Sequence, residues 1–478
     1  MNRYLTTTLP YVNADPHIGH ALELVQADAL ARAWRLQGDE MFFSTGTDEH
    51  GQKVFQKAEE TGQELQAYVD HYAAEFEKLN KTLDLSNNAF IRTTNPAHVA
   101  AAQELWKRCA DAGDIYKKAY TGLYCVSDEM FVKESEMVNG RCPNHPGAAL
   151  TEITEENYFF RFSAYQDKLV EYLSREDVIV PDWRQKEALN FVTGGLEDFS
   201  ISREKARMSW GVPVPGDDTQ VMYVWFDALT NYISTLGWPE DAEGMFQKFW
   251  TDGRTVQLAG KDQVRFQSLI WQAMLMSAGI KNTDQVFYHG FINSGGQKMS
   301  KSIGNVISPY DLVDKYGTDA ARYLLLRHVH PTEDTDVTWE RLDEWYTANL
   351  VNGLGNLVAR VMKLAEEHLD GPVVLSDDDM RIEDGFLENL DRFAFSEVMD
   401  LVWTHIAKGD EYMTEHAPYK AIKEESTKEQ AKADIEKLVK HIAKLAFHLQ
   451  PFMPSTSGAM LAAVRANKKP ENLFPRLA

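Results

Sequence analysis

The sequence predicts an α/β protein: a doubly wound, Rossmann-type parallel sheet split by a small connective insertion and followed by an all-α helical bundle. Three observations carry this. Short β-type apolar runs alternate with amphipathic helical patterns up to about residue 112 and again over about 196–340. The alternation stops over about 113–195, and beyond about 340 only long helical patterns remain. The boundaries read as 1–112, 113–195, 196–340 and 341–478, and 478 residues suit about three domains of about 150 residues each.

In order, Arg3 to Leu9 reads as a buried strand, and Leu22, Leu24, Val25, Ala29, Leu30, Ala33 and Trp34 mark one helix face. Between them lies Pro10-Tyr11-Val12-Asn13-Ala14-Asp15-Pro16-His17-Ile18-Gly19-His20. Asp15 is the expected N-cap and Pro16 the first helical residue. That puts His17 and His20 on the first turn, where free N–H groups and the helix dipole attract anions. Two imidazoles at i and i+3 make a phosphate clamp, and Gly19 lets a flat ring pack against the backbone. Taken alone, the pattern also fits surface histidines at an ordinary helix start.

Glu40 to Gly46 reads as the second strand, with Thr47 to Gly51 as the loop at its carboxyl end, where open α/β sheets bind ligands. Asp48 there suits an α-amino group, or else an N-cap for a helix over His50 to Thr61. In the insertion, Cys125-Val126-Ser127-Asp128 and Cys142-Pro143-Asn144-His145 form two knuckles. Cys125, Cys142 and His145 are zinc-type ligands and Asp128 is an oxygen donor, so the knuckles read either as a zinc site or as packed side chains.

The alternation resumes near Ile201-Ser202-Arg203. Val221 to Tyr232 begins as a β-type run and is expected to bend into a helix at Asp227, which puts Trp225, Ala228 and Tyr232 on one face. Large rings around a small Ala make a pocket for a thin apolar side chain, or a plain aromatic core. Val256 to Asp262 is another strand and turn, followed by an apolar helix. Val286 to Gly290 is the last strand, with His289 at its carboxyl end. Gly295-Gly296-Gln297-Lys298-Met299-Ser300-Lys301-Ser302 is then a glycine-led loop whose paired ammonium groups suit a polyphosphate. In the helical part Ser376 to Asp379 is the clearest linker. Asn356 and Arg360 share a helix face and Tyr419 opens a helix; such groups read unstacked RNA bases, though they are common on surfaces.

His17-Ile18-Gly19-His20 together with Lys298-Met299-Ser300-Lys301-Ser302 resembles the class I aminoacyl-tRNA synthetases. Over nearly the whole chain the sequence is similar to the methionyl-tRNA synthetase family within that class. The resemblance implies methionine, ATP and tRNA(Met) as substrates, with Mg²⁺ on the leaving pyrophosphate. It implies catalysis by His17, His20, Lys298 and Lys301, with Gly19 and Ser300 also meeting ATP. Methionine is expected against Leu9, Tyr11, Asp48, Arg203, Trp225, Ala228, Tyr232 and His289, with Asp48 taking the amino group and His289 donating to the thioether sulfur. Asn356, Arg360 and Tyr419 are expected at the anticodon, where the family's ring is often Trp. Zn²⁺ on Cys125, Asp128, Cys142 and His145 is left open, since some members keep the knuckle without the metal. The insertion is too short for the editing domain of relatives that handle leucine, isoleucine and valine, which narrows the amino acid. A nucleotidyltransferase of the same histidine motif and a silent tRNA-binding paralogue are the alternatives.

Composition narrows the rest. At 44% hydrophobic and 25% charged, with no apolar run of membrane-spanning length and no secretory leader, the chain reads as a globular protein without a membrane partner. Three cysteines make no disulfide framework, and a cytoplasmic location is expected. The net charge of −23 disfavours indiscriminate nucleic-acid binding, and no DNA partner is expected; an RNA would need a local basic strip. Lys420, Lys423, Lys428, Lys432, Lys437, Lys440 and Lys444 offer one, though interleaved glutamates also fit a solvated helix face. The chain ends just past the bundle, and a monomer is expected.

Overall fold

The computed structural model describes residues 1–127, 130–132, 137–143, 145, 147, 149–299 and 304–477, with the backbone alone at Tyr120, Met130, Glu155, Lys298 and Asp384. It divides into two compact units. The first comprises Met1–Pro16, Asp39–Lys78 and Asn87–Tyr288, the second His17–Gly38, Leu79–Ser86 and His289–Ala478.

The first unit is built on a six-stranded sheet in the order Ala89–Arg92, Glu40–Thr47, Asn2–Thr6, Arg254–Gly260, Gln285–His289, Ile179–Val180. The pairings of Asn2–Thr6 with Glu40–Thr47 and with Arg254–Gly260 are both parallel. Strand order reverses across Asn2–Thr6, so the crevice beyond its carboxyl end is where such a sheet takes ligands. The strand is buried from Arg3 to Thr6, which explains a run without alternation. Trp106, Phe160, Phe226, Trp250, Trp271 and Met274 anchor the core around it.

The insertion forms an antiparallel sheet in which Ile115–Cys125 pairs along its length with Leu150–Phe160, flanked by Met130–Val132 and Phe199–Ser200. The expected bend at Asp227 falls earlier. The strand is Asp217–Met222 and the helix Val224–Leu229. Met222 N–H to Val212 O (2.7 Å) and Tyr223 N–H to Ile201 O (2.8 Å) are its last bonds to neighbouring segments. Beyond them the backbone satisfies its polar groups within the helix.

The second unit contains the helix Ile18–Leu36 and the C-terminal helices. The buried Asp28 carboxylate meets Arg322 at 2.7 Å. Arg322 also donates to the carbonyls of Leu83 (3.0 Å), Pro451 (3.0 Å) and Phe452 (2.8 Å), which locks Ile18–Leu36 to Thr318–His328. The predicted helical bundle is present as Asn356–His368, Phe395–Glu415, Lys428–Leu449 and Pro454–Ala466. The lysine strip is laced with exposed pairs such as Lys432 with Glu429 (3.9 Å) and Lys428 with Glu425 (3.6 Å), the solvated-face arrangement. Among the described residues no helix is long and apolar enough to cross a membrane.

Candidate active site

In the second unit the helix begins at Ile18, with His17 as its N-cap, two residues later than the Asp15 cap predicted. The cause is a reciprocal capping box. His17 Nδ1 accepts the Gly19 N–H at 3.0 Å, and His20 Nδ1 accepts the His17 N–H at 3.2 Å. The rings stack 3.9 Å apart at 21°. Because each Nδ1 accepts, each neutral ring carries its proton on Nε2, which makes Nε2–H a donor to an anion. Burial pushes the His20 pKa well below the usual range, and His17 and His289 push it further. His20 is therefore a neutral donor at pH 7. A Cβ on Gly19 would lie 2.8 Å from His17 Cε1, so any larger residue there would make the capping ring shift. Ile18 N–H donates to Ile307 O at 3.1 Å, which ties the segment after the lysine loop to this helix start.

The lysine loop opens as a hairpin. Ile292–Ser294 pairs antiparallel with Gln297–Lys298 around Gly295 (φ 65°) and Gly296 (φ 73°), left-handed conformations that suit a two-residue turn. Gly296 N–H donates to Asp336 Oδ1 at 2.6 Å. Ser300 and Lys301, and the Lys298 side chain, lie outside the described residues. His289, the first residue of the unit's last segment, places Nδ1 2.8 Å from Gly290 O and Nε2 2.8 Å from Glu23 Oε2. Both ring nitrogens already face oxygens, so donation to a thioether would require giving up one of these bonds.

In the first unit, Tyr11 and Asp48 form an isolated parallel bridge. Val12 N–H donates to Asp48 O at 3.2 Å and Asp48 N–H to Pro10 O at 3.0 Å, extending the pairing of the first two strands past their ends. Asp48 is no helix cap; the following helix is Gln52–Thr61, capped by Gly51. The Asp48 side chain is buried at the sheet's carboxyl edge, while Leu9 and its bridge partner Tyr11 are half-exposed. Tyr11 meets the Trp225 ring edge-on, centroids 6.0 Å apart, and Trp225 stacks on Phe266 at 3.9 Å. Ala228 is buried one turn on from Trp225, while the Tyr232 ring leans on Trp271 at 5.8 Å. Arg203 is buried with its guanidinium over the rings of Tyr223 (4.7 Å), Tyr124 (5.2 Å) and Phe131 (5.5 Å).

One feature of this unit escaped the sequence reading. Asp227, fully buried, accepts from His50 Nδ1 at 2.6 Å and from His98 Nε2 at 2.8 Å, and His98 Nδ1 meets Ser234 Oγ at 2.8 Å. Burial pushes the Asp227 pKa up, but the His50 charge and the hydrogen bonds of both histidines outweigh it and bring it down to about 2. A carboxylate inside Val224 to Leu229, an otherwise apolar stretch, was the available signal. Glu23 on the buried side of the first helix was another.

In the insertion, Cys125, Cys142 and His145 bring their ligand atoms within 4.8 Å of one another. Both cysteines are buried and His145 is exposed. Two sulfurs and a nitrogen at this spacing fit three corners of a zinc tetrahedron. Asp128, the expected fourth ligand, lies outside the described residues. In the bundle, Asn356 begins the helix Asn356–His368 and Arg360 follows one turn later, its Nη1 3.2 Å from Asp410 Oδ1. Tyr419 is exposed on Pro418–Ala421.

Comparison with known proteins shows the family and the fold. Residues 3–362 match the family described as tRNA synthetases class I (M), and residues 382–475 the anticodon binding domain of methionyl tRNA ligase. The methionine–tRNA ligase of Caldanaerobacter subterraneus subsp. tengcongensis is 39% identical over 469 residues, covering 96% of this chain and 73% of that protein. That of Rhizobium meliloti is 39% identical over 476 residues, covering 96% and 91%. The structure of Mycobacterium tuberculosis methionyl-tRNA synthetase in complex with methionyl-adenylate superposes with a TM-score of 0.89 at 36% identity, covering 100% of this chain and 99% of that one. Its apo form gives 0.83 at 33% identity, covering 100% and 98%. Family models, relatives and solved structures agree over nearly the whole chain, and this chain belongs to the methionyl-tRNA synthetase family of the class I tRNA synthetases.

Proposed function

We propose that the chain is a methionine–tRNA ligase that works in two steps, and that MgATP is its nucleotide substrate. The methionine carboxylate attacks the α-phosphate in line, forming the carboxyl–phosphate bond of methionyl-adenylate as the bond to pyrophosphate breaks. A ribose hydroxyl of the terminal adenosine of tRNA(Met) then attacks the activated carbonyl and AMP leaves. No side-chain nucleophile is required, because positioning and charge stabilisation suffice. The observation that supports this best is the stacked histidine pair, whose Nδ1 atoms accept backbone N–H groups, which leaves Nε2–H as the donor of each neutral ring toward phosphate oxygens.

In this reading His17 and His20, with Gly19 between them, bind the phosphates, and Lys298, Ser300 and Lys301 stabilise the leaving pyrophosphate. Asp48 takes the methionine ammonium, and Tyr11, Trp225, Ala228, Tyr232, Leu9 and His289 enclose its side chain. Arg203, held among three rings, stiffens the strand edge near the carboxylate. Cys125, Cys142 and His145 would hold a structural Zn²⁺ that braces the insertion and takes no part in the chemistry. The functional segments follow 1–112, 113–195, 196–340 and 341–478. In the last of these Asn356, Arg360 and Tyr419 read the anticodon. The enzyme works as a cytoplasmic monomer.

The deciding experiment is ATP–pyrophosphate exchange with each of the twenty amino acids, without tRNA. Exchange with methionine alone is expected. Exchange with another amino acid would overturn the pocket, and none at all would favour a silent tRNA-binding protein. Tyr419→Ala should leave exchange intact and raise the KM for tRNA(Met) about 10-fold, the loss of one stacked base; an unchanged KM would remove Tyr419 from the anticodon reading.

A further inference from the structure

We propose that Asp227 is a positioning residue for methionine binding: through two histidines its carboxylate fixes the loop that carries Asp48 against the helix that carries Trp225 and Ala228. The inference rests on the reading of Asp48, Trp225 and Ala228 as methionine residues, and concerns how they are held.

Asp227 lies between Trp225 and Ala228 on the helix Val224–Leu229 and is fully buried. An ionised carboxylate in such a place is retained only when its oxygens are well bonded. Here each oxygen has its own imidazole: Oδ2 accepts from His50 Nδ1 at 2.6 Å, and Oδ1 from His98 Nε2 at 2.8 Å. The two histidines come from different parts of the unit. His50 stands two residues after Asp48, on the loop beyond the strand Glu40–Thr47, and His98 lies on the helix Pro96–Asp111. His98 is oriented in turn by Ser234 Oγ, 2.8 Å from its Nδ1.

The loop is fixed on its other side as well. Glu49, between Asp48 and His50, takes Arg92 through both oxygens at 2.6 and 3.0 Å, its N–H donates to Thr93 Oγ1 at 2.9 Å, and its carbonyl accepts Trp210 Nε1 at 2.6 Å. Trp210 also meets the His50 ring edge-on at 5.5 Å. With Glu49 holding the loop to the sheet edge, His50 is its link to the helix that lines the side-chain pocket. A carboxylate bridge between two imidazoles resists both approach and separation. It thus fixes the distance between the acceptor of the amino group and the wall that receives the side chain, which a ligand as flexible as methionine cannot set for itself. Selectivity then follows from length: a shorter or branched amino acid cannot satisfy both ends at once.

The test is a set of variants measured by methionine calorimetry, exchange kinetics and thermal unfolding. Asp227→Asn keeps the shape but loses the charge and one acceptor, and should weaken methionine binding about 10-fold or more while the KM for ATP stays within about twofold. His50→Ala should do the same. His50→Asn, whose amide N–H stands where Nδ1–H stood, should restore most of the affinity. A merely structural role predicts a lowered melting temperature with unchanged methionine affinity in Asp227→Asn and His50→Ala, and that result would overturn the proposal. If Asp227→Asn fails to fold, the His50 pair decides alone: loss with Ala and recovery with Asn supports it, equal affinities refute it. Asp48→Asn and Trp225→Ala separate the two levels. If both bind methionine normally, the pocket reading itself fails. If both bind it poorly while Asp227→Asn does not, only the present inference falls.

Discussion

The histidine pair at the start of the first helix and the Asp48–Asp227 region of the other unit both hold polar groups at set angles, by opposite means. His17 and His20 are held by bonds that span two and three residues of chain. Asp227 is held by histidines 177 and 129 residues away. The first arrangement needs little more than a helix to start in the right place. The second exists only when the whole sheet unit has formed. Local construction gives donors whose loss should be felt in chemistry and not in folding, whereas long-range construction joins affinity to stability.

The largest expected effect tests the local side. His17→Asn keeps an oxygen that can accept the Gly19 N–H, so the cap survives, but removes the Nε2–H donor. Adenylate formation should slow by about 10²–10³-fold, the scale for loss of one such donor, with the methionine Kd and melting temperature unchanged. Single-turnover adenylate formation and calorimetry read the two quantities separately. A fall in methionine affinity would erase the contrast between the regions.

Trp225→Ala tests the other side. It removes a ring stacked on Phe266 at 3.9 Å and set edge-on to Tyr11. Loss of a ring wall against a thioether is worth about 1–3 kcal/mol, so the methionine Kd should rise by roughly 10–10²-fold. The melting temperature should fall with it, since the same ring packs the unit. If stability holds while affinity falls, the pocket is less integrated than the geometry says.

Gly19→Ala sharpens the distinction, because activity and stability should move in opposite directions. The added Cβ would sit 2.8 Å from His17 Cε1 and 2.9 Å from Nδ1, so the ring must turn. Catalysis should drop about 10-fold by misplacement of one donor. Alanine nevertheless favours the helix by up to about 1 kcal/mol. A slower enzyme that melts no lower is the expected outcome; an enzyme of full speed would show that His17 tolerates a different angle.

What the sequence made legible follows the same division. The histidine and lysine motifs, the alternation of strands and helices, and the bundle all depend on neighbours in the chain, and spacing alone exposed them. Even so, the helix start was misplaced by two residues, because Asp15 and Pro16 are strong local signals and the reciprocal cap of two histidines is an uncommon one. The bend before Trp225 was misplaced because it depends on where Ile201 and Val212 stop offering carbonyls. His98 was invisible: nothing in Pro96 to Ala102 says that its ring faces a carboxylate on another helix. The partnership of Glu23 with His289, 266 residues apart, was hidden in the same way.

The smallest effect expected is in acid, where the long-range side should show its charge. Asp227 titrates at about 2 in the folded protein, against an ordinary 3.8. A folded pKa below the unfolded one stabilises the native state at pH values above the unfolded pKa, and that contribution fades as pH falls through the folded value. Wild type should therefore exceed Asp227→Asn in stability above the ordinary carboxyl range, and the margin should narrow progressively as pH falls toward about 2. Melting temperatures of the two proteins across that range give the margin directly and cancel the titration of shared groups such as Asp28, whose pKa is also held low, chiefly by Arg322 against the cost of burial. A margin that is flat for Asp227→Asn down to pH 2 would mean that the carboxyl titrates alike in the folded and unfolded chain, and a margin that widens in acid would mean that it is neutral in the folded state.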